Sequence, residues 1–137
     1  MKSHTAKLVM QISERMDFVN ITRDVERAAE ELGVTAGAVL VYCPHTTAAI
    51  TINESADPDV VRDIDSKLAR LVPHADGYRH SEGNSDAHVK SRLVGCSETV
   101  LVSDGALVLG TWQGVFFCEF DGPRTRTVMV GALASAD

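Results

Sequence analysis

Cysteine is scarce: Cys43, Cys96 and Cys118 are the only three, and no two of them have C-x-x-C spacing. An odd number in apolar surroundings argues against a disulfide framework and suits small buried hydrophobes in a reducing compartment. Long apolar runs are missing as well. No stretch approaches the ~18 residues of a membrane helix, so no membrane is expected as partner. The opening Met1-Lys2-Ser3-His4-Thr5-Ala6-Lys7 leads into alternating residues rather than the continuous apolar core of a signal peptide, and a cytoplasmic location is expected. The chain has no excess of positive charge: 13 Lys and Arg face 19 Asp and Glu, a net charge of −6. That balance disfavours nucleic acid, whose nonspecific binding depends on a basic surface. A P-loop, a G-x-S-x-G elbow and a dinucleotide fingerprint are all missing, and Cys43 beside Pro44 shows no sign of activation, so covalent catalysis is disfavoured.

What remains is an ordinary globular composition, 45% hydrophobic and 23% charged over 137 residues. This is one domain, 1–137, too short for a (β/α)8 barrel of roughly 200 residues or more. Leu8, Met10 and Ile12 alternate with Lys7, Val9 and Gln11, which predicts a strand near 6–13. Thr22 is the expected cap of a helix to Leu32, with Val25, Ala28, Ala29 and Leu32 on one stripe and Gly33 as its stop. Strands are predicted at 37–42 and 48–52, and a helix starts at Asp57-Pro58 and runs toward Pro73. Asn84 or Ser85 would cap a short helix over 86–93 that ends at Gly95. Four β-rich runs follow at 98–103, 106–109, 114–120 and 125–130, punctuated by Asp104-Gly105, Gly110 and Asp121-Gly122-Pro123. The expected fold is α+β, a mainly antiparallel sheet, sandwich or barrel-like, with two or three helices.

The polar run Tyr78–His88 is the natural centre of function, because it gathers His80, Glu82, Asp86 and His88 around a glycine turn, with Arg79 and Lys90 close by. His45, in the connection between two predicted strands, joins His80 and His88 as a candidate metal ligand. Three neutral imidazoles suit zinc and leave a position open to water or substrate. The competing reading has these histidines bonded to neighbouring carbonyls. Glu82 and Asp86 would orient an imidazole or act as general base on metal-bound water, although Asp86 also suits a first helical turn for electrostatic reasons alone. The first-turn amides of the 86–93 helix, with Lys90, Arg79 and Arg124, would receive a phosphate, and Thr46 and Thr47 would add hydroxyl donors. His4 and His74 are given no role. Trp112, the only tryptophan, either packs on an aromatic substrate or anchors a core or subunit interface.

Six segments in order carry a resemblance: His45-Thr46-Thr47-Ala48, Asn53-Glu54, Asp57-Pro58-Asp59, Gly83-Asn84 with Ala87-His88, Gly110-Thr111-Trp112-Gln113-Gly114, and Glu119-Phe120-Asp121-Gly122-Pro123-Arg124. Together they resemble the YjbQ-like family over about Lys7 to Leu133. The resemblance implies a small homotrimer with a histidine-rich site near subunit contacts, and strengthens the expectation of a divalent metal, zinc first. It places Asn53 and Glu54 among catalytic candidates, and Gln113 and Arg124 among residues for a small phosphorylated metabolite. The family label also implies a thiamine-phosphate synthase activity, joining a pyrimidine-methyl diphosphate to a thiazole phosphate. Alternatives are a metal-dependent hydrolase of a small phosphorylated metabolite, or a metal- or metabolite-binding protein without turnover.

Overall fold

A computed structural model describes residues 4–135, so Met1–Ser3 at the basic start lie outside the described residues. Among the described residues eight strands and three helices follow one another. They are β1 (Thr5–Ile12), β2 (Asp17–Asn20), α1 (Thr22–Glu31), β3 (Gly37–Tyr42), β4 (Ala48–Glu54), α2 (Pro58–Leu71), α3 (Ser85–Val94), β5 (Ser97–Ser103), β6 (Ala106–Leu107), β7 (Gln113–Glu119) and β8 (Arg124–Ser135). All strand pairs are antiparallel, in a five-stranded sheet ordered β1-β8-β3-β5-β6 and a three-stranded sheet ordered β2-β7-β4. The architecture is the α+β fold that the alternation predicts.

The two-residue period decides which side chains meet. Ile12, Val39, Val41, Val100, Val102, Val128 and Val130 of the larger sheet pack against Ala48, Ile50, Val115 and Phe117 of the smaller one. The predicted stripe of α1 (Val25, Ala28, Ala29), followed by Leu32, joins that core. The opposite face of the smaller sheet forms a second cluster, in which Ala49, Phe116, Cys118 and Phe120 pack with Ala87 of α3 and half-buried Val61 and Leu68 of α2. Strand β7 is therefore buried on both faces, which is why Val115–Cys118 reads as a continuous apolar run rather than an alternating one.

Details differ from the sequence reading where side chains had better partners. Thr22 does not cap α1. Asn20 Oδ1 accepts from the Thr22 amide and hydroxyl, and the Thr22 hydroxyl in turn accepts from the Val115 amide, tying the helix start to β7. Strand β2 was not predicted, since four residues carry too little periodicity to show. Asp57 does cap α2, accepting from the Asp59 amide. Trp112 is neither core nor core anchor: it is 64% exposed. Cys43 and Cys118 are buried as expected, whereas Cys96 is exposed. Among the described residues no helix is long and apolar enough to cross a membrane.

The outward face of the larger sheet mixes apolar side chains with Lys7, Gln11, Thr99, Thr125 and Thr127. Val9 and Leu101 are mostly exposed there, and Leu40, Tyr42 and Met129 stand on the same side by parity. The helices lie elsewhere: α2 and α3 cover the smaller sheet, and α1 joins the core between the sheets.

Candidate functional site

The loop Cys43–Thr47 crosses from β3 in one sheet to β4 in the other, and a cleft of about 350 Å³ opens where it crosses. Its walls are Pro44, His45, Thr46, Thr47, Glu82, Asn84, His88, Asp121, Arg124 and Arg126. The structure thus brings six predicted site residues together: His45, Thr46, Thr47, Glu82, His88 and Arg124.

The floor is a buried ion pair spanning the sheets. Glu119 on β7 is 0% exposed and Arg126 on β8 is 3% exposed. Arg126 Nε donates to Glu119 Oε1 at 2.7 Å, while its Nη2 donates to Glu119 Oε2 and to the hydroxyl and carbonyl of Thr47. Glu119 Oε2 also accepts from the Asp121 amide, and the Asp121 carboxylate accepts from Arg124 at 3.0 Å and from Asn84 Nδ2 at 2.8 Å. One network therefore runs Thr47, Arg126, Glu119, Asp121, Arg124 and Asn84. Neither Arg124 nor Arg126 has an acceptor for Nη1 among the described residues. Asn84 Oδ1 is buried and unpartnered among them, a deficit of about 1–3 kcal/mol when nothing else supplies a donor.

Sequence reasoning missed Arg126, Glu119, Asp121 and Asn84 as site residues. A signal existed: Arg126 shares the inward parity of Val128 and Val130, and Glu119 that of Val115 and Phe117. A charge at an inward strand position requires a partner. The turn that carries Asp121 to Arg124 is held by Gly122, whose amide donates to the Arg15 carbonyl. A Cβ there would lie 1.9 Å from the Glu14 carbonyl oxygen, so only glycine permits this approach.

His45 stands where β3 runs out. Beyond the Tyr42 and Met129 pair, its Nε2 lies 3.0 Å from both the amide nitrogen and the carbonyl oxygen of Thr127, so either neutral tautomer finds a partner on β8. Burial and then the Arg126 charge lower its pKa from 6.5, which keeps the ring neutral at pH 7. His88, on the first turn of α3, faces the same cleft. The rings of His80 and His88 meet edge to face with centroids 5.6 Å apart, and His80 Nε2 lies 3.6 Å from a Glu82 carboxylate oxygen.

This geometry does not form a three-histidine chelate. His45 spends Nε2 on β8, and His80 turns toward Glu82 and lies outside the cleft wall. Among the described residues no group of three His, Cys, Asp or Glu side chains is placed to hold a metal ion.

Asp86 and Lys90 leave the site altogether. Asp86 is 0% exposed and Lys90 is 2% exposed, joined at 3.2 Å within α3. Asp86 also accepts from Arg15 at 3.1 and 3.2 Å and lies 3.2 Å from His74 Nδ1, so His74, given no role from sequence, belongs to this cluster. Burial alone would raise the Asp86 pKa, but hydrogen bonds from Arg15 and Lys90 outweigh it and bring it from 3.8 to about 2. A carboxylate held so firmly ionised is an anchor, not a base. Of the first-turn amides of α3, those of Ala87 and His88 donate to the Asn84 carbonyl. Asn53 and Glu54 lie at the far end of β4 from Thr47, about 20 Å along the strand. There Asn53 accepts from the Glu54 amide and Glu54 from the Ala56 amide. Gln113 pairs with Glu54 in register and accepts from the Gly110 amide, at that same distant end. Arg79 is exposed outside the cleft.

A family model described as UPF0047 protein YjbQ-like matches residues 6–135. The chain belongs to the YjbQ-like family. Among curated YjbQ-like relatives, YugU of Bacillus subtilis is 52% identical over 124 residues, covering 90% of this chain and 94% of its own. MJ1081 of Methanocaldococcus jannaschii is 51% identical, covering 90% of each chain. Solved structures superpose closely. A Clostridium acetobutylicum protein of this family has a TM-score of 0.89 at 50% identity, covering 91% of this chain and 97% of its own. A protein of Aeropyrum pernix has a TM-score of 0.91 at 34% identity, covering 97% and 100%. The YjbQ-like fold and the resemblance drawn from six short segments thus agree.

Proposed function

We propose that the cleft binds the anionic group of a small phosphorylated metabolite, with neutral His45 as the acid-base group beside it. The observation carrying this reading is that Arg124 and Arg126 both line the cleft and each keeps Nη1 without an acceptor among the described residues. Their remaining donors are fixed on Asp121, Glu119 and Thr47, so the guanidinium planes are held before a ligand arrives. Within this class, thiamine-phosphate synthase chemistry and hydrolysis of a phosphate ester both use an anion-holding pair and a proton-transferring imidazole. Product identity separates them.

Calorimetric titration with inorganic phosphate is the direct test. We expect binding that Arg124→Ala weakens at least tenfold and Arg124→Lys weakens less. A wild-type protein that binds neither phosphate nor pyrophosphate would sink the reading. The pH dependence follows from His45. Because its pKa lies below 6.5, its base form persists as pH falls through the ordinary imidazole range, so the acid limb of any turnover should lie below pH 6.5. Arg126 is the second cause of that lowering, so neutralising it should move the limb upward.

Zinc or another divalent ion is a second reading. It is favoured only by the donor chemistry of His45, His88, Glu82 and Asp121 on one cleft. Elemental analysis after incubation with zinc decides it: one ion per chain, lost in His88→Ala, supports the ion, and a metal-free protein removes it.

The homotrimer is also a proposal. It is supported by the apolar side chains Val9, Leu40 and Leu101 on the uncovered face of the larger sheet, whose burial between copies would remove them from water. Light scattering should give the mass of three chains, and a Leu101→Lys variant should shift it toward one. A wild-type monomer at micromolar concentration overturns the trimer.

A further inference from the structure

The cleft does not end at its histidines. His45, Thr46 and His88 also line a second hollow of about 450 Å³, whose other walls are Ser91, Arg92, Gly95 and Cys96. The two hollows share those three residues, so the imidazoles stand on the wall common to two adjacent lobes. Each lobe falls in the size range of small-molecule sites.

The lobes differ in chemistry. The first holds two guanidiniums, two carboxylates and an amide. The second offers few hydrogen-bonding groups. The Ser91 hydroxyl is already spent on the Ala48 carbonyl at 2.6 Å, and Cys96 contributes a weakly polar thiol. Gly95, with φ +106, ends α3, and a Cβ built on it would meet nothing within 4 Å, so this wall is bare backbone facing open space. Arg92 supplies the only full charge, on a flat guanidinium of the kind that stacks on aromatic planes.

We propose that the substrate is bipartite. Its anionic head lies against Arg124 and Arg126, its planar apolar body lies over Gly95 and Cys96 beside Arg92, and the atoms joining the two pass between His45 and His88. This rests on the anion reading of the first lobe and adds what that reading lacks, the character of the rest of the molecule. It also explains why acid-base groups stand at the junction: there they reach the bond between head and body rather than either end.

Cys96 makes the second lobe addressable. It is the exposed thiol of the three, whereas Cys43 and Cys118 are buried, with burial pushing the Cys43 thiol up to about 11 and the Cys118 thiol higher still. N-ethylmaleimide should therefore add once, at Cys96, as read by intact mass. Calorimetry on the full chain then compares inorganic phosphate with phenyl phosphate. We expect phenyl phosphate to bind at least tenfold more tightly. The adduct, or Cys96→Trp, should erase that advantage while leaving phosphate within twofold, and Cys96→Ser should keep it. Phosphate binding without a phenyl advantage overturns the second lobe and leaves the anion reading standing. So does an advantage that survives a mass-confirmed adduct. A native Cys96 that resists the reagent means that another copy of the chain fills the lobe, which also overturns the proposal. Failure of both ligands removes the anion reading, and this inference with it.

Discussion

Asp86→Ala is expected to lower stability by about 3–5 kcal/mol, because it strands a buried lysine. Lys90 is 2% exposed, and among the described residues its partners are the Asp86 carboxylate and the Met16 sulfur. Arg15 and His74 lose the same acceptor, so the 13–16 loop and the segment after α2 both loosen from α3. The pH dependence identifies the cause. The folded-state pKa of Asp86, about 2, lies below its ordinary 3.8. Its stabilisation is therefore fully present above pH 3.8 and is lost as pH falls toward 2. Urea unfolding of wild type and Asp86→Ala at pH 7, 4 and 2 should show the gap between them narrowing across the last interval. A gap that stays constant would assign the loss to packing instead of charge.

Glu119→Ala should be of similar size, about 3–5 kcal/mol, since it leaves Arg126 buried between the sheets without its carboxylate. It also removes the acceptor of the Asp121 amide and so frees the turn that carries Arg124. Replacing both partners by apolar residues is a different experiment. Glu119→Met with Arg126→Leu removes the stranded charge and should recover most of the stability, because a buried ion pair and a packed apolar pair are often close in free energy. Phosphate binding should not recover, as one guanidinium of the cleft is gone. Stability restored without binding would place the pair in recognition. A double variant as unstable as Glu119→Ala alone would mean that the apolar residues cannot fill the space.

The fold was largely legible. Alternation marked β1, apolar or β-rich runs marked β3, β4, β5 and β7, and the caps and stops at Asp57-Pro58, Gly33 and Gly95 bounded the helices, because these signals are local and each depends on a few neighbouring residues. Strand β2 escaped because its four residues are defined by pairing with β7, a contact across the fold that leaves no periodic trace. The site was half legible for the same reason. His45, His88 and Arg124 announced themselves as residue types, but whether histidines converge is decided by backbone paths that spacing does not encode. Asp86 and Lys90 carried a readable sign of their true role: they stand four apart on one helix, the spacing of an ion pair. Reading that spacing beside the apolar neighbours Ala87 and Val94 would have assigned them to the interior.

Helix α2 has no fully buried residue and rests on the smaller sheet through half-buried Val61, Ile64 and Leu68. An element held by so little apolar contact belongs to the low end of the local unfolding scale, whereas β7, covered on both faces, belongs to the high end. The chain from α2 onward carries His74, Glu82 and Asn84 before it reaches α3. Amide hydrogen exchange should therefore be slowest in β7, and faster in α2 and in the segment after it that supplies Glu82 and Asn84 to one wall of the cleft.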